Sequence, residues 1–249
     1  MTESSELQYL DLTRCKVNKS ALDEFLASCQ FLKKLSLDRL TLSIKLVNNI
    51  CYKNHQTLQV LNLSRCKGLT FDTFVPIIKF CIELKELNLF DTDLSRQSIE
   101  YLVNNLTENI EKLSLRSLYF VRDEHIKTLV TRCQNICELD LFDTAITENS
   151  ITTIIRHLPE SLVKLDVSES DSQSDNFIEY IKLLELKSMA RLKVLNCYSL
   201  HSDEISSLRK QMTHLSINSE DLKIAQPNQC VKNDEGFWEI KAKQIQAFH

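Results

Sequence analysis

Leu84-Lys85-Glu86-Leu87-Asn88-Leu89-Phe90-Asp91-Thr92 returns, with its last four residues identical, as Ile136-Cys137-Glu138-Leu139-Asp140-Leu141-Phe142-Asp143-Thr144. The frame both stretches share is aliphatic-x-x-Leu-x-Leu, and it runs the length of the chain. It begins at Leu7-Leu10-Leu12, then Leu32-Leu35-Leu37 and Leu58-Leu61-Leu63, and reappears between the two quoted copies at Ile110-Leu113-Leu115. It continues as Leu162-Leu165-Val167, and two looser copies follow, Leu192-Leu195-Cys197 and Met212-Leu215-Ile217. Successive starts lie 25, 26, 26, 26, 26, 26, 30 and 20 residues apart. A period of 20–29 residues with this consensus marks a leucine-rich repeat solenoid. The predicted fold is therefore α/β: a horseshoe arc of about nine repeats, with a parallel concave sheet and convex helices. Such a fold offers a long curved face rather than a catalytic cleft.

Residues 84–109 show how one unit is built. Leu87 and Leu89 alternate with polar residues, the period-two signature of a half-buried strand. After a loop, Ile99, Leu102, Val103 and Leu106 fall on one face of a helix. The same helical spacing occurs at Leu22-Phe25-Leu26-Cys29 and Ile126-Leu129-Val130-Cys133, among others. Ser20 offers a capping start for the first helix. Strands about 4.8 Å apart make a concave arc roughly 40 Å long, the scale of a protein partner.

Composition excludes several function classes. With only Gly68 and Gly236, neither a Walker loop nor a dinucleotide-binding loop can be written. The formal net charge of −4 speaks against nucleic acid as the main partner. No run of 18 apolar residues occurs, so no transmembrane helix is expected. Six histidines and nine cysteines form no Cys-x-x-Cys pair and no His-Glu-x-x-His, so no metal, cofactor or catalytic role is expected. Cys29, Cys81 and Cys133 stand three residues before a repeat, and Cys15 and Cys66 three after its last leucine. These read as small buried side chains in a reducing compartment, nucleus and cytoplasm, rather than as bridges.

Residues flanking the strand leucines point into the concavity. Its outermost column reads Thr13, Asp38, Ser64, Phe90, Arg116, Phe142, Ser168, Tyr198, Asn218. Phe90 and Phe142 stand two strands apart with Arg116 between them. Exposed aromatics beside an arginine have the composition of an interface hot spot, although isolated exposed aromatics are common. Asp91, Glu138, Asp140, Asp143, Asp166 and Glu169 give the middle of the face an acidic cast, suited to a basic or mixed-charge partner or to a solvated rim. The repeats are expected over 1–221, with a tail at 222–249 that caps the stack or folds back to lend Trp238 to the face.

Repeats with cysteine before and after the leucine core resemble the leucine-rich F-box family. Met212-Thr213-His214-Leu215-Ser216-Ile217-Asn218, and Glu239-Ile240-Lys241 after Trp238, resemble the last repeat and tail of its S-phase kinase-associated members. Leu32–Leu37, Leu58–Leu63 and Glu83–Leu89 resemble their early repeats in order. The resemblance implies a non-catalytic substrate receptor of a Skp–cullin–F-box ubiquitin ligase. Its substrate would be a cell-cycle regulator such as a phosphorylated CDK inhibitor, held with a CDK-regulatory-subunit accessory protein. Carried over by position, the partner surface comprises Phe90, Asp91, Phe142, Asp143, Ser168, Glu169, Tyr198 and Trp238; the column reading adds Arg116. No F-box precedes the first leucine, so a fragment, short isoform or trimmed form is expected, and the Skp adaptor would require an F-box upstream. The alternative is a leucine-rich scaffold or inhibitor module unrelated to ubiquitin.

Overall fold

The structure, a computed structural model, describes residues 6–158, 160–170, 189, 191–197 and 202–218. Each repeat opens with a strand of two or three residues: β1 (Tyr9–Asp11), β2 (Lys34–Ser36), β3 (Val60–Asn62), β4 (Glu86–Asn88), β5 (Lys112–Ser114), β6 (Glu138–Asp140), β7 (Lys164–Asp166), β8 (Val194–Asn196) and β9 (Ser216–Ile217). They form one parallel sheet in sequence order, β1 at one edge and β9 at the other. The described helices are α1 (Lys19–Ser28), α2 (Ile44–Asn54), α3 (Phe71–Phe80), α4 (Arg96–Asn105), α5 (Asp123–Arg132), α6 (Glu148–His157) and α7 (Ser202–Gln211). None is long and apolar enough to cross a membrane.

From β1 to β8 the register is the one the period predicts. The second leucines pair in a row: Leu10, Leu35, Leu61, Leu87, Leu113, Leu139, Leu165, Leu195. These leucines and the inward helix residues, such as Ile99, Leu102, Ile126 and Leu129, are almost wholly shielded from water. A single repeat cannot bury them; its neighbours do, so the core is one continuous ribbon.

The last repeat differs from the expectation. The spacing places Leu215 opposite Leu195, whereas Ile217 occupies that place and Ser216 lies opposite Val194. A shift of two residues keeps every side chain on its original face, so the core accepts it. Asn218 then accepts a hydrogen bond from the Cys197 N–H at 2.7 Å, and the Arg209 guanidinium closes on the Ile217 carbonyl at 2.8 Å.

Every described turn from strand to loop passes through a left-handed residue: Arg14, Arg39, Arg65, Asp91, Ser117, Asp143, Glu169 and Asn218, with φ between 50° and 66°. For a residue with a Cβ this costs roughly 1–2 kcal/mol. Stacking offsets the cost, because the N–H of the turn residue donates to the following repeat. Arg39 donates to the Ser64 carbonyl, Arg65 to Phe90, Asp91 to Arg116, Ser117 to Phe142 and Asp143 to Ser168. Gly68, at φ +79°, is the one position where the loop needs glycine, since a Cβ there would stand 2.6 Å from the Leu42 carbonyl oxygen.

Helix starts are capped by side chains that accept first-turn N–H groups: Ser43, Thr70, Ser95 and Thr147. At α1 the cap is Asn18, which accepts from Ser20 and Ala21, rather than Ser20. The α5 carboxylate Asp123 reaches the next helix and accepts from the Thr147 N–H and from the Thr147 and Ser150 hydroxyls. Cys29, Cys66, Cys81 and Cys133 are buried and unbridged as expected; Cys15, beside the sheet-edge strand β1, is instead exposed. Tyr198 and the tail with Trp238 lie outside the described residues.

Candidate functional site: the concave face

Three side-chain columns line the concave sheet. In the first, glutamates and lysines alternate from β4 to β7. Lys112 lies 3.3 Å from Glu86 and 3.4 Å from Glu138, and Lys164 lies 3.2 Å from Glu138. Partial burial of Lys112 works against its charge, yet Glu138 and then Glu86 outweigh that and hold its pKa above the ordinary lysine value.

The second column is Asp11, Ser36, Asn62, Asn88, Ser114, Asp140, Asp166, Asn196. Its acids and amides have a structural task. The side-chain oxygens of Asp11, Asn62, Asn88, Asp140 and Asp166 each accept the backbone N–H two residues on, at 2.8–3.1 Å. This satisfies the last donor of the strand as the chain bends away. Asp140 and Asp166, expected to give the face an acidic cast, are thus turn residues buried in the sheet surface.

The third column carries the residues singled out in the sequence. Arg116 is only 3% exposed, not presented to a partner. Its Nε donates to Asp140 at 3.0 Å and its Nη2 to Asp166 at 3.1 Å. The Phe142 ring centroid lies 3.9 Å from its guanidinium carbon, and that of Phe90 lies 5.9 Å away. Phe90 also stacks on Arg65, at 4.4 Å. The order Arg65, Phe90, Arg116, Phe142 is a cation–aromatic stack spanning four repeats. A planar guanidinium suits this place because it satisfies two carboxylates edge-on while its faces meet rings.

Phe90, expected to be exposed, is 8% exposed, because guanidinium groups flank it. It lies outside the leucine core, on the concave side. Phe142 and Asp143 are half-buried, Ser168 is buried, and Asp91 and Glu169 are exposed. The structure therefore brings Phe90, Arg116 and Phe142 together, and sets Asp91, Asp143 and Glu169 on the adjoining edge. Burial, and then Asp140, push the Asp166 carboxyl up to about 6 against the opposing pull of Arg116.

Two surface aromatics escaped the sequence reading. Tyr119 and Phe120 are 66% and 50% exposed, in the loop after β5. That loop runs five residues from its left-handed residue Ser117 to its cap Arg122, against four in the repeats on either side. The overall period of 26 is unchanged there, which hides the insertion; the local apolar run Leu118-Tyr119-Phe120-Val121 was the available signal.

The buried thiols are poor nucleophiles, since burial pushes Cys66 and Cys197 up to about 12 and Cys133 to about 11. Among the described residues no group of three His, Cys, Asp or Glu side chains could hold a metal ion. The arrangement is a concave face whose charged side chains are largely paired with one another.

Comparison with known proteins agrees with that geometry. A family model described as the SKP2 LRR domain matches residues 1–245. A chain from the crystal structure of the yeast Rad7 and Elc1 complex superposes with a TM-score of 0.52 at 13% identity, over 81% of this chain and 60% of that one. The present chain thus spans less than two thirds of that protein's length, and at such identity the likeness concerns the fold alone. The leucine-rich repeat-containing protein LegL7 from Legionella pneumophila aligns at 14% identity over 80% of this chain and 68% of its own, with a TM-score of 0.44, too low to add to the argument. With nearly its whole length matched by one model, the chain belongs to the family of SKP2 leucine-rich repeat domains.

Proposed function

We propose that this chain is the substrate-recognition part of a Skp–cullin–F-box ubiquitin ligase, a protein-binding module without catalysis of its own. The observation that carries the reading is the preorganised concave sheet, ordered by internal ion pairs, in a chain of the SKP2 repeat family. A face that is already rigid loses little conformational entropy on docking. Its occupant would be a cell-cycle regulator such as a phosphorylated CDK inhibitor, presented with a CDK-regulatory-subunit accessory protein, in the nucleus and cytoplasm. The half-buried Phe142 and the exposed Asp91 and Glu169 are the residues of this face placed to meet it, with Tyr198 and Trp238 assigned by resemblance. The Skp adaptor would join through an F-box upstream.

Calorimetric titration of the chain with a purified CDK-regulatory-subunit protein tests the proposal. Micromolar or tighter binding is expected, weakened by about 1–3 kcal/mol in Phe142→Ala or Trp238→Ala. No heat of binding at high micromolar concentration would turn the reading to a scaffold unrelated to ubiquitin.

A further inference from the structure

From the first repeat to the seventh, the left-handed turn residues form a single column along the loop edge of the concave face, one per repeat. Their charge is sorted. In the first three repeats they are Arg14, Arg39 and Arg65; in the next four they are Asp91, Ser117, Asp143 and Glu169. Two residues further on, the same division recurs: Lys16 and Lys67 are exposed on the first half, Asp93 on the second. The halves meet where the Arg65 guanidinium and the Asp91 carboxylate stand 3.9 Å apart. Backbone geometry does not require this order, because every position in the column has the same left-handed conformation, and from Arg39 to Asp143 each N–H has the same duty to the following repeat.

The second half carries a further feature. Tyr119 and Phe120 project from the lengthened loop of the fifth repeat, within the acidic stretch. The charge of the nearby Asp143 carboxylate pushes the Tyr119 pKa up, and Asp91 adds to the push. Exposed aromatic faces in a field of carboxylates are the setting in which lysine and arginine side chains bind, the stem on the ring and the charge at the acid.

We propose that this edge docks an extended protein segment of sorted charge, with its acidic residues over the first three repeats and its Lys or Arg residues over the fourth to seventh. At about 4.8 Å per repeat the column is roughly 30 Å long, which an extended peptide of about nine residues spans. At the edge Arg39 and Arg65 each also lie 3.5 Å from the buried Asp38 carboxylate, so the acids of a docked segment meet these guanidinium groups from the solvent side. The proposal does not depend on the ubiquitin-ligase reading, and its test uses no component of that pathway.

The test measures fluorescence anisotropy of the whole chain with labelled synthetic peptides of about ten residues in low salt. One peptide carries its Glu residues in one block and its Lys residues in another. A second has the same composition with the two alternating; a third and fourth carry Glu alone and Lys alone. The sorted peptide should bind at least about tenfold more tightly than the alternating one and lose that advantage as salt rises. The variant Arg14→Asp, Lys16→Glu, Lys67→Glu should lose the preference and gain affinity for the all-Lys peptide. This gain keeps the test informative, because a misfolded variant would bind none of them selectively. Equal binding of the sorted and alternating peptides overturns the proposal. So does an all-Glu or all-Lys peptide that binds wild-type protein as tightly as the sorted one.

Discussion

The first three repeats and the next four share one backbone and differ in nearly everything that backbone carries. In the first three the concave face is held mainly by hydroxyls and an amide around one carboxylate: the Thr13 and Ser36 hydroxyls at 2.9 Å, the Asn62 amide donating to Ser36 at 3.1 Å, and the Ser64 hydroxyl donating at 2.7 Å to Asp38, which also lies 3.5 Å from Arg39 and Arg65. In repeats four to seven the face carries instead a lysine–glutamate ladder, where the first three have Tyr9, Lys34 and Val60, and an arginine clamped by two carboxylates and two rings. Backbone hydrogen bonds and leucine rows continue unchanged across the boundary. Architecture and surface chemistry are therefore separately encoded: the leucines set the curve, and the intervening residues are free to differ.

The sharpest way to break this comparison is to remove Arg116. Arg116→Ala leaves Asp140 and Asp166 buried without their cation and should cost about 3–5 kcal/mol in urea denaturation. Next in size are the leucines, where the two halves should agree. Leu35→Ala in the first and Leu113→Ala in the second should each cost about 3 kcal/mol, both side chains being fully buried. A difference of more than about 1 kcal/mol between them would mean the core is not uniform along the stack.

A smaller effect separates the halves by pH. Asp166 binds its proton more tightly folded, at about 6, than an unfolded aspartate does near 3.9. Between pH 4 and 6 the folded state therefore holds more protons, and this residue's contribution to stability rises as pH falls through that window. Asp166→Asn should remove about 1 kcal/mol of the stability difference between pH 5 and pH 7, read from urea midpoints. Smallest of all, Thr13→Val in the first half removes one hydroxyl bond to Ser36 and should cost about 1 kcal/mol or less at any pH.

Much of the architecture was legible because a repeat sequence states its core many times. Any single Leu-x-x-Leu-x-Leu is weak; eight in register leave little else to build. The reading faltered where repetition faded, at β9, since a slip of two residues keeps Leu215 and Ile217 on the buried side and alternation along the strand does not choose between the two registers. Exposure was less legible: Phe90 and Arg116 are buried against the expectation, Phe142 and Asp143 half-buried, and Asp91 and Glu169 exposed. Phe90 and Phe142 lie on the predicted face, yet no pattern along the chain says that Arg65 and Arg116 close over Phe90, because those residues stand 25 or 26 positions away. Tyr119 and Phe120 were missed for the complementary reason: a period counted between leucines does not register how loop and helix divide the residues between them.

Sequence by itself determined the stack, its parallel sheet and the side of that sheet each residue faces, because solenoid contacts are between neighbours and repeat at a constant interval. The three-dimensional fold decided which concave charges cancel one another and which stay available. Pairing depends on distances of 3–4 Å between side chains of different repeats, and the order of residues along a chain does not contain those distances.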